Sequence, residues 1–233
     1  GRRSRRTLFV VLLFPALGVI GLFVWAFYGT FAVTESDALS PRVRNAFPGR
    51  RFPLFSTLFT WLFYPGGGRG AAYLLAMLAL TLVPASIGFS AAPYHSEEAH
   101  RAMLCGAGYV LFYIGFPATL ARGVLRERAT TALQRAAILV FLACGTFLPE
   151  VLKLFLSVRR GHAWSNRFLW IEGPSPFSLA YADGSSRGAV VAWAVGLGLV
   201  GLACMLPGML RSLRESAALC REARKRHLGE TTP

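Results

Sequence analysis

Acidic residues and lysine are what this 233-residue chain has least of: eleven Asp and Glu in all, and only Lys153 and Lys225 beside its arginines. Charged residues make up 15% of the chain and apolar ones 54%, with a mean hydropathy of +0.48. Soluble domains carry about a quarter charged residues, so this composition excludes an ordinary water-soluble globule. The shortage of lysine excludes a Walker A loop, which needs a Gly-Lys step, because the two lysines follow Leu152 and Arg224. Cysteine is scarce as well. The four present form no C-x-x-C pair, which argues against a disulfide framework or a zinc site, and Cys105, Cys144 and Cys204 fall inside apolar runs as packing residues. Short alternating apolar segments, the mark of a membrane barrel, are also missing.

What the chain does have is long apolar runs. A helix rises 1.5 Å per residue, so crossing a hydrocarbon core about 30 Å thick takes roughly 20 apolar residues. Thr7 to Val33, Gly70 to Ala92, Ala102 to Ala121, Ala136 to Ser157 and Gly188 to Leu210 all qualify. No water in the core is available to a free backbone N–H or C=O, so these runs should be helical. The fold class that follows is all-α, a polytopic helical membrane bundle with five transmembrane helices over residues 1–210 and a basic tail over 211–233. The first run, though preceded by Arg2, Arg3, Arg5 and Arg6, is too long for the apolar core of a signal peptide.

The stretch from Pro53 to Pro65 is too short to cross comfortably. Ser56, Thr57 and Thr60 share one helical face and Leu54, Phe55, Leu58, Phe59, Leu62 and Phe63 cover much of the rest, which predicts an interfacial helix. Arg50 and Arg51 precede it, where anionic lipid headgroups would lie. Trp61 and Tyr64 are residues that favour interfaces, and the glycines from Gly66 to Gly70 read as a flexible joint. A re-entrant segment or a short tilted crossing is the alternative.

Net charge is +14, set in clusters between the runs and not in a polar stripe, so nucleic acid is not an expected partner. Six bases follow Leu210, and the positive-inside rule then places the C-terminus in the cytoplasm of what reads as a bacterial inner-membrane protein. Five crossings put fifteen bases inside and nine outside, but leave Arg2 to Arg6 on the wrong side. A sixth crossing gives the same ratio, so length decides for five.

Among residues able to carry chemistry, Glu150 and Lys153 stand out. An ionisable group within a span costs roughly 2.5–3.5 kcal/mol even on a lenient scale, and a spacing of three lets these two pair. They read either as a neutralised anchor near the outer interface or as part of a gate or polar path. His95, Glu98 and His100 form the densest set of potential ligands, yet they match neither H-E-x-x-H nor H-x-x-E-H, so a solvated hairpin accounts for them and neither metal nor other cofactor is expected. Gly196, Gly198 and Gly201 spell G-x-G-x-x-G inside an apolar span with no strand before it, which reads as close helix packing and not as a dinucleotide site. Pro15, Pro84, Pro117, Pro149 and Pro207 place one proline in each span. The connection from Val158 to Arg187 carries Trp164, Phe168, Trp170 and Phe177, an aromatic load expected on the bilayer surface.

This plan, with the run Gly173-Pro-Ser-Pro-Phe-Ser-Leu-Ala-Tyr-Ala before the final span, resembles the last five spans of an ABC-2-type exporter permease. That run is similar to the family's Asn-Pro-Phe-x-x-Leu, with Ser175 in place of Asn, and Leu39-Ser-Pro-Arg-Val-Arg-Asn-Ala-Phe-Pro is similar to a cytoplasmic permease stretch. The resemblance implies a further span and coupling helix upstream of Gly1, pairing of permease halves as homodimer or heterodimer, and a separate ATP-binding subunit. It would contact the loops around Arg42 and Arg44 and around Arg126, Glu127 and Arg128. A non-transporting accessory or scaffold subunit, and a membrane-embedded enzyme, are the other readings. No catalytic constellation is evident, so no enzyme activity is expected.

Overall fold

The structure is a computed structural model that describes residues 21, 24–25, 27–34, 53–64, 66–90, 96–125, 130–159, 173–177 and 187–227. It is an all-α bundle. A helical segment ending at residue 33 is followed by α1 (Pro53–Phe63), α2 (Gly67–Ser90), α3 (Ser96–Leu125), α4 (Thr131–Arg159) and α5 (Arg187–His227). Helices α2 to α5 are each long and apolar enough to cross a membrane, which makes the chain a multi-pass membrane protein. Residues 7–20 of the first expected span lie outside the described residues. Large apolar side chains such as Leu80, Ile87, Val140, Phe155 and Leu199 face outward, the arrangement that lipid stabilises.

Glycine sets the central seam between α3 and α5. A Cβ added at Gly108 would stand 2.2 Å from the Ala194 carbonyl oxygen, and one at Gly115 would stand 2.4 Å from that of Gly201. Without those Cβ atoms the two backbones meet directly, and dispersion together with Cα–H···O contacts replaces the hydrophobic driving force that lipid cannot supply. Two members of the G-x-G-x-x-G string serve this seam: Gly198 abuts Gly108, and Gly201 abuts Leu111. Gly196 has nothing near its Cβ position. The contacts advance together along both helices, so α3 and α5 run parallel.

One end of the bundle is stapled by arginine. Arg122 donates to the Val33 carbonyl, and Arg135 donates through Nε to Thr34 Oγ1 at 3.0 Å while its guanidinium lies 4.3 Å above the Phe31 ring. Gly67 and Gly208 lie at this same end beside Arg122. Val33 and Gly67 therefore lie at the same end of the bundle, on either side of the segment that holds α1. Within it, α1 spans about 16 Å at 1.5 Å per residue.

The glycines before α2 are not a joint. Gly66 takes φ 139°, which disfavours any side chain, and Gly67, Gly68 and Gly70 form the packed first turn of the helix. A Cβ at Gly70 would stand 1.9 Å from the Ala32 carbonyl, and one at Gly68 would stand 2.3 Å from that of Gly208. Between them Arg69, only 1% exposed, donates through Nε to Ser216 Oγ at 3.1 Å and lies 3.7 Å from Glu215. This arginine, counted in sequence as a loop base, is a buried tie between α2 and α5.

The basic tail does not begin a new unit at residue 211. Helix α5 continues to His227, and its 41 residues make it about 60 Å long, twice the hydrocarbon thickness. Arg211 and Glu215 pair at 3.1 Å, the i, i+4 spacing that supports an exposed helix. Helix α1 packs antiparallel on this extension with its polar face inward. Ser56 and Thr60 each place a hydroxyl 3.6 Å from Cys220 Sγ, and Trp61 donates its indole N–H to the Met209 carbonyl and Ser212 Oγ. The spans expected at 102–121 and 136–157 are likewise longer helices, since polar turns at span ends continue the helix where water or side chains satisfy them.

Candidate functional site

Residues 173–177, Gly-Pro-Ser-Pro-Phe, come from the connection between α4 and α5, and they lie inside the bundle. Two prolines with fixed φ and a hydroxyl between them favour a tight turn. Ser175 completes it by accepting the Phe177 backbone N–H at 3.3 Å. Gly173 is the residue that allows the entry, because a Cβ there would stand 2.5 Å from the Trp193 indole.

Three helices hold the turn. From α3, Tyr109 donates its hydroxyl to the Gly173 carbonyl at 2.9 Å and Tyr113 donates to the Pro174 carbonyl at 2.5 Å. The two phenols, four residues apart, are stacked with ring centroids 6.4 Å apart. From α4, Glu150 Oε1 accepts the Ser175 hydroxyl at 2.7 Å, and the Thr146 carbonyl lies 3.2 Å from Ser175 Oγ. Phe147 and Phe177 meet with their rings 5.8 Å apart. From α5 comes Trp193. Ser175 is fully buried. Thr146 lies thirteen residues before the end of α4, so the turn sits on the order of 20 Å down that helix.

A proline lies close to the carbonyl that α4 offers there. Pro149 cannot donate to the Gly145 carbonyl four residues before it. The Thr146 carbonyl, in the same turn, is met by Ser175. A carbonyl three residues before a proline is met by a hydroxyl at Pro207 as well, where the Cys204 carbonyl takes the Thr119 hydroxyl of α3 at 3.0 Å. Prolines in spans persist where neighbouring hydroxyls restore what the ladder loses.

Glu150 and Lys153 both belong to this region. The Glu150 carboxylate turns to the inserted Ser175, and Lys153 is only 4% exposed, so this lysine does not reach out to water. Thr146 Oγ1, buried on the same face, has no hydrogen-bond partner among the described residues. The arrangement is a polar seat inside an apolar bundle. It binds the connecting turn through side chains and the Thr146 carbonyl, and it keeps an acid and a base within one helical turn of that contact.

Other sequence candidates lie elsewhere. Glu98 pairs with Arg187 at 3.3 Å, and His100 Nε2 lies 3.3 Å from Ser90 Oγ, so these two are directed to different partners at the end opposite the arginine staples. His95 is outside the described residues, as are Arg42, Arg44, Arg126, Glu127 and Arg128. No three metal-ligating side chains converge among the described residues. Phe177, expected on the bilayer surface, is part of the inserted turn; Trp164, Phe168 and Trp170 lie outside the described residues. Tyr109, Tyr113 and Thr146 were not singled out in sequence. The four-residue spacing of the tyrosines was the available signal. Comparison with known protein families, curated proteins and solved structures gives no match to this chain.

Proposed function

We propose that this chain is the membrane-spanning subunit of an ABC-2-like export system, seated in a bacterial inner membrane with its C-terminus in the cytoplasm. Substrate would move by helix rearrangement driven by a separate ATP-binding subunit. The observation that carries this reading is the polar seat: Glu150 and Lys153 are kept inside the bundle beneath a turn held by hydrogen bonds and by the Phe147–Phe177 ring contact. A group that costs several kcal/mol in lipid is the usual mark of a path or gate. Prolines within α2 to α5 support the same reading, because a proline site loses a ladder bond and bends at lower cost.

A scaffold subunit is the second reading, favoured by the backbone contact along the α3–α5 seam, which leaves no passage there. Purification of the tagged chain from its native membranes discriminates the two. The export reading expects a stoichiometric ATP-binding protein whose hydrolysis falls at least several-fold with Glu150→Gln while the complex stays intact. Recovery without any nucleotide-binding partner, or hydrolysis indifferent to Glu150→Gln, contradicts it.

A further inference from the structure

Helix α1 is amphipathic the wrong way round for a protein surrounded by water. Its hydroxyl face is turned onto α5, while Leu54 and Phe55 on the other side are 80% and 59% exposed. Rings continue from this face without interruption. Phe55, Phe59 and Phe63 follow one another along the helix, Phe63 meets Tyr73 of α2 edge-on at 5.9 Å, and Tyr73 meets Tyr28 at 6.1 Å. The outward face of α1 is thus one surface with the lipid-facing sides of α2 and the helical segment ending at residue 33, and the lipid that covers those covers α1.

Where the three meet there is a crevice of about 430 Å³ lined by Tyr28, Phe31, Leu62, Phe63, Tyr64 and Tyr73. This is the size range of small-ligand sites, and none of its liners is acidic. Arg135 lies against one of these liners, Phe31. The guanidinium stacks on Phe31 and Nε is held by Thr34, while the two terminal nitrogens make no hydrogen bond to any described residue. An arginine fixed by stacking and by Nε, with its terminal donors still available at the bilayer boundary, is built to meet a phosphate oxygen. Exposed Arg211, Arg214 and Arg221 on the neighbouring α5 extension add positive field at this end.

We infer that this corner is a binding site for one anionic phospholipid, its phosphate on Arg135 and an acyl chain in the aromatic crevice. The site depends on the chain being in a membrane and not on the transport reading. The test uses the full chain in detergent, incubated with phosphatidylglycerol or with phosphatidylcholine of identical chains, with retention read by native mass spectrometry. The parent retains phosphatidylglycerol preferentially. Arg135→Gln loses that preference by on the order of tenfold or more, the loss typical of one charge-assisted hydrogen bond. Phe63→Ala lowers retention of both lipids, and Arg187→Gln at the other end changes neither. Equal retention of the two lipids by the parent, or full retention of phosphatidylglycerol by Arg135→Gln, overturns the site. So does competition by inorganic phosphate as effective as the lipid, or a protein instead of lipid photo-cross-linked at Phe63 in native membranes.

Discussion

Gly196 and Gly201 lie five residues apart in one apolar run and have opposite meanings. At Gly201 a Cβ would stand 2.3 Å from the Leu111 carbonyl, and backbone cannot yield as a flexible side chain does. Gly201→Ala should therefore force α3 and α5 apart and cost on the order of 1–3 kcal/mol. Gly196→Ala meets nothing within 4 Å and should gain up to about 1 kcal/mol from helix propensity. Thermal unfolding of both variants in one detergent checks the contrast; equal shifts would count against the seam. Thr146 gives a second residue-scale expectation. Its Oγ1 is buried without a partner among the described residues, so Thr146→Val, which keeps the shape, should leave stability unchanged or raise it by about 1 kcal/mol. A loss of more than that in the same assay would mean that the hydroxyl is satisfied in the membrane.

At the scale of elements, α1 is held to α5 by few groups. Trp61 supplies one donor to two acceptors on α5, and the hydroxyls of Ser56 and Thr60 cover Cys220. Trp61→Phe keeps most of the ring and removes the N–H, so it weakens the dock by about 1 kcal/mol. That should raise the labelling of buried Cys220 by a water-soluble maleimide roughly fivefold, read by mass spectrometry. An unchanged rate would show that α1 is held by something other than the indole. Arg69 is the deeper tie: Arg69→Ala leaves the Ser216 hydroxyl and the Glu215 carboxylate without this partner and should open the same cysteine further.

At the scale of the molecule, helical membrane architecture was legible because lipid imposes it: apolar runs of sufficient length have no other way to satisfy their backbone. Helix ends were less legible. Polar turns beyond the hydrocarbon continue α3, α4 and above all α5, where the i, i+4 pair of Arg211 and Glu215 was the readable hint. Glu150 was legible as a cost in need of a reason, but its partner was not. Ser175 is 25 residues away in a turn with no periodicity, and only the fold brings it to the carboxylate. Aromatic content pointed to the bilayer surface for that connection, yet composition cannot tell a surface from an interior when both are apolar. Similarly, the glycines around Arg69 read as freedom when taken alone, whereas packed against Ala32 and Gly208 they are close contact.

The insertion of residues 173–177 among the spans is the feature on which the functional account rests, and cysteine accessibility in intact membranes tests it most directly. Ser175→Cys should resist a membrane-impermeant maleimide, while Arg187→Cys, exposed at the start of α5, should react readily from the same side. Removing the two phenol donors with Tyr109→Phe and Tyr113→Phe should then release the turn and let position 175 react. Labelling of Ser175→Cys as fast as Arg187→Cys in the otherwise unaltered chain would place the turn on the surface and contradict the account.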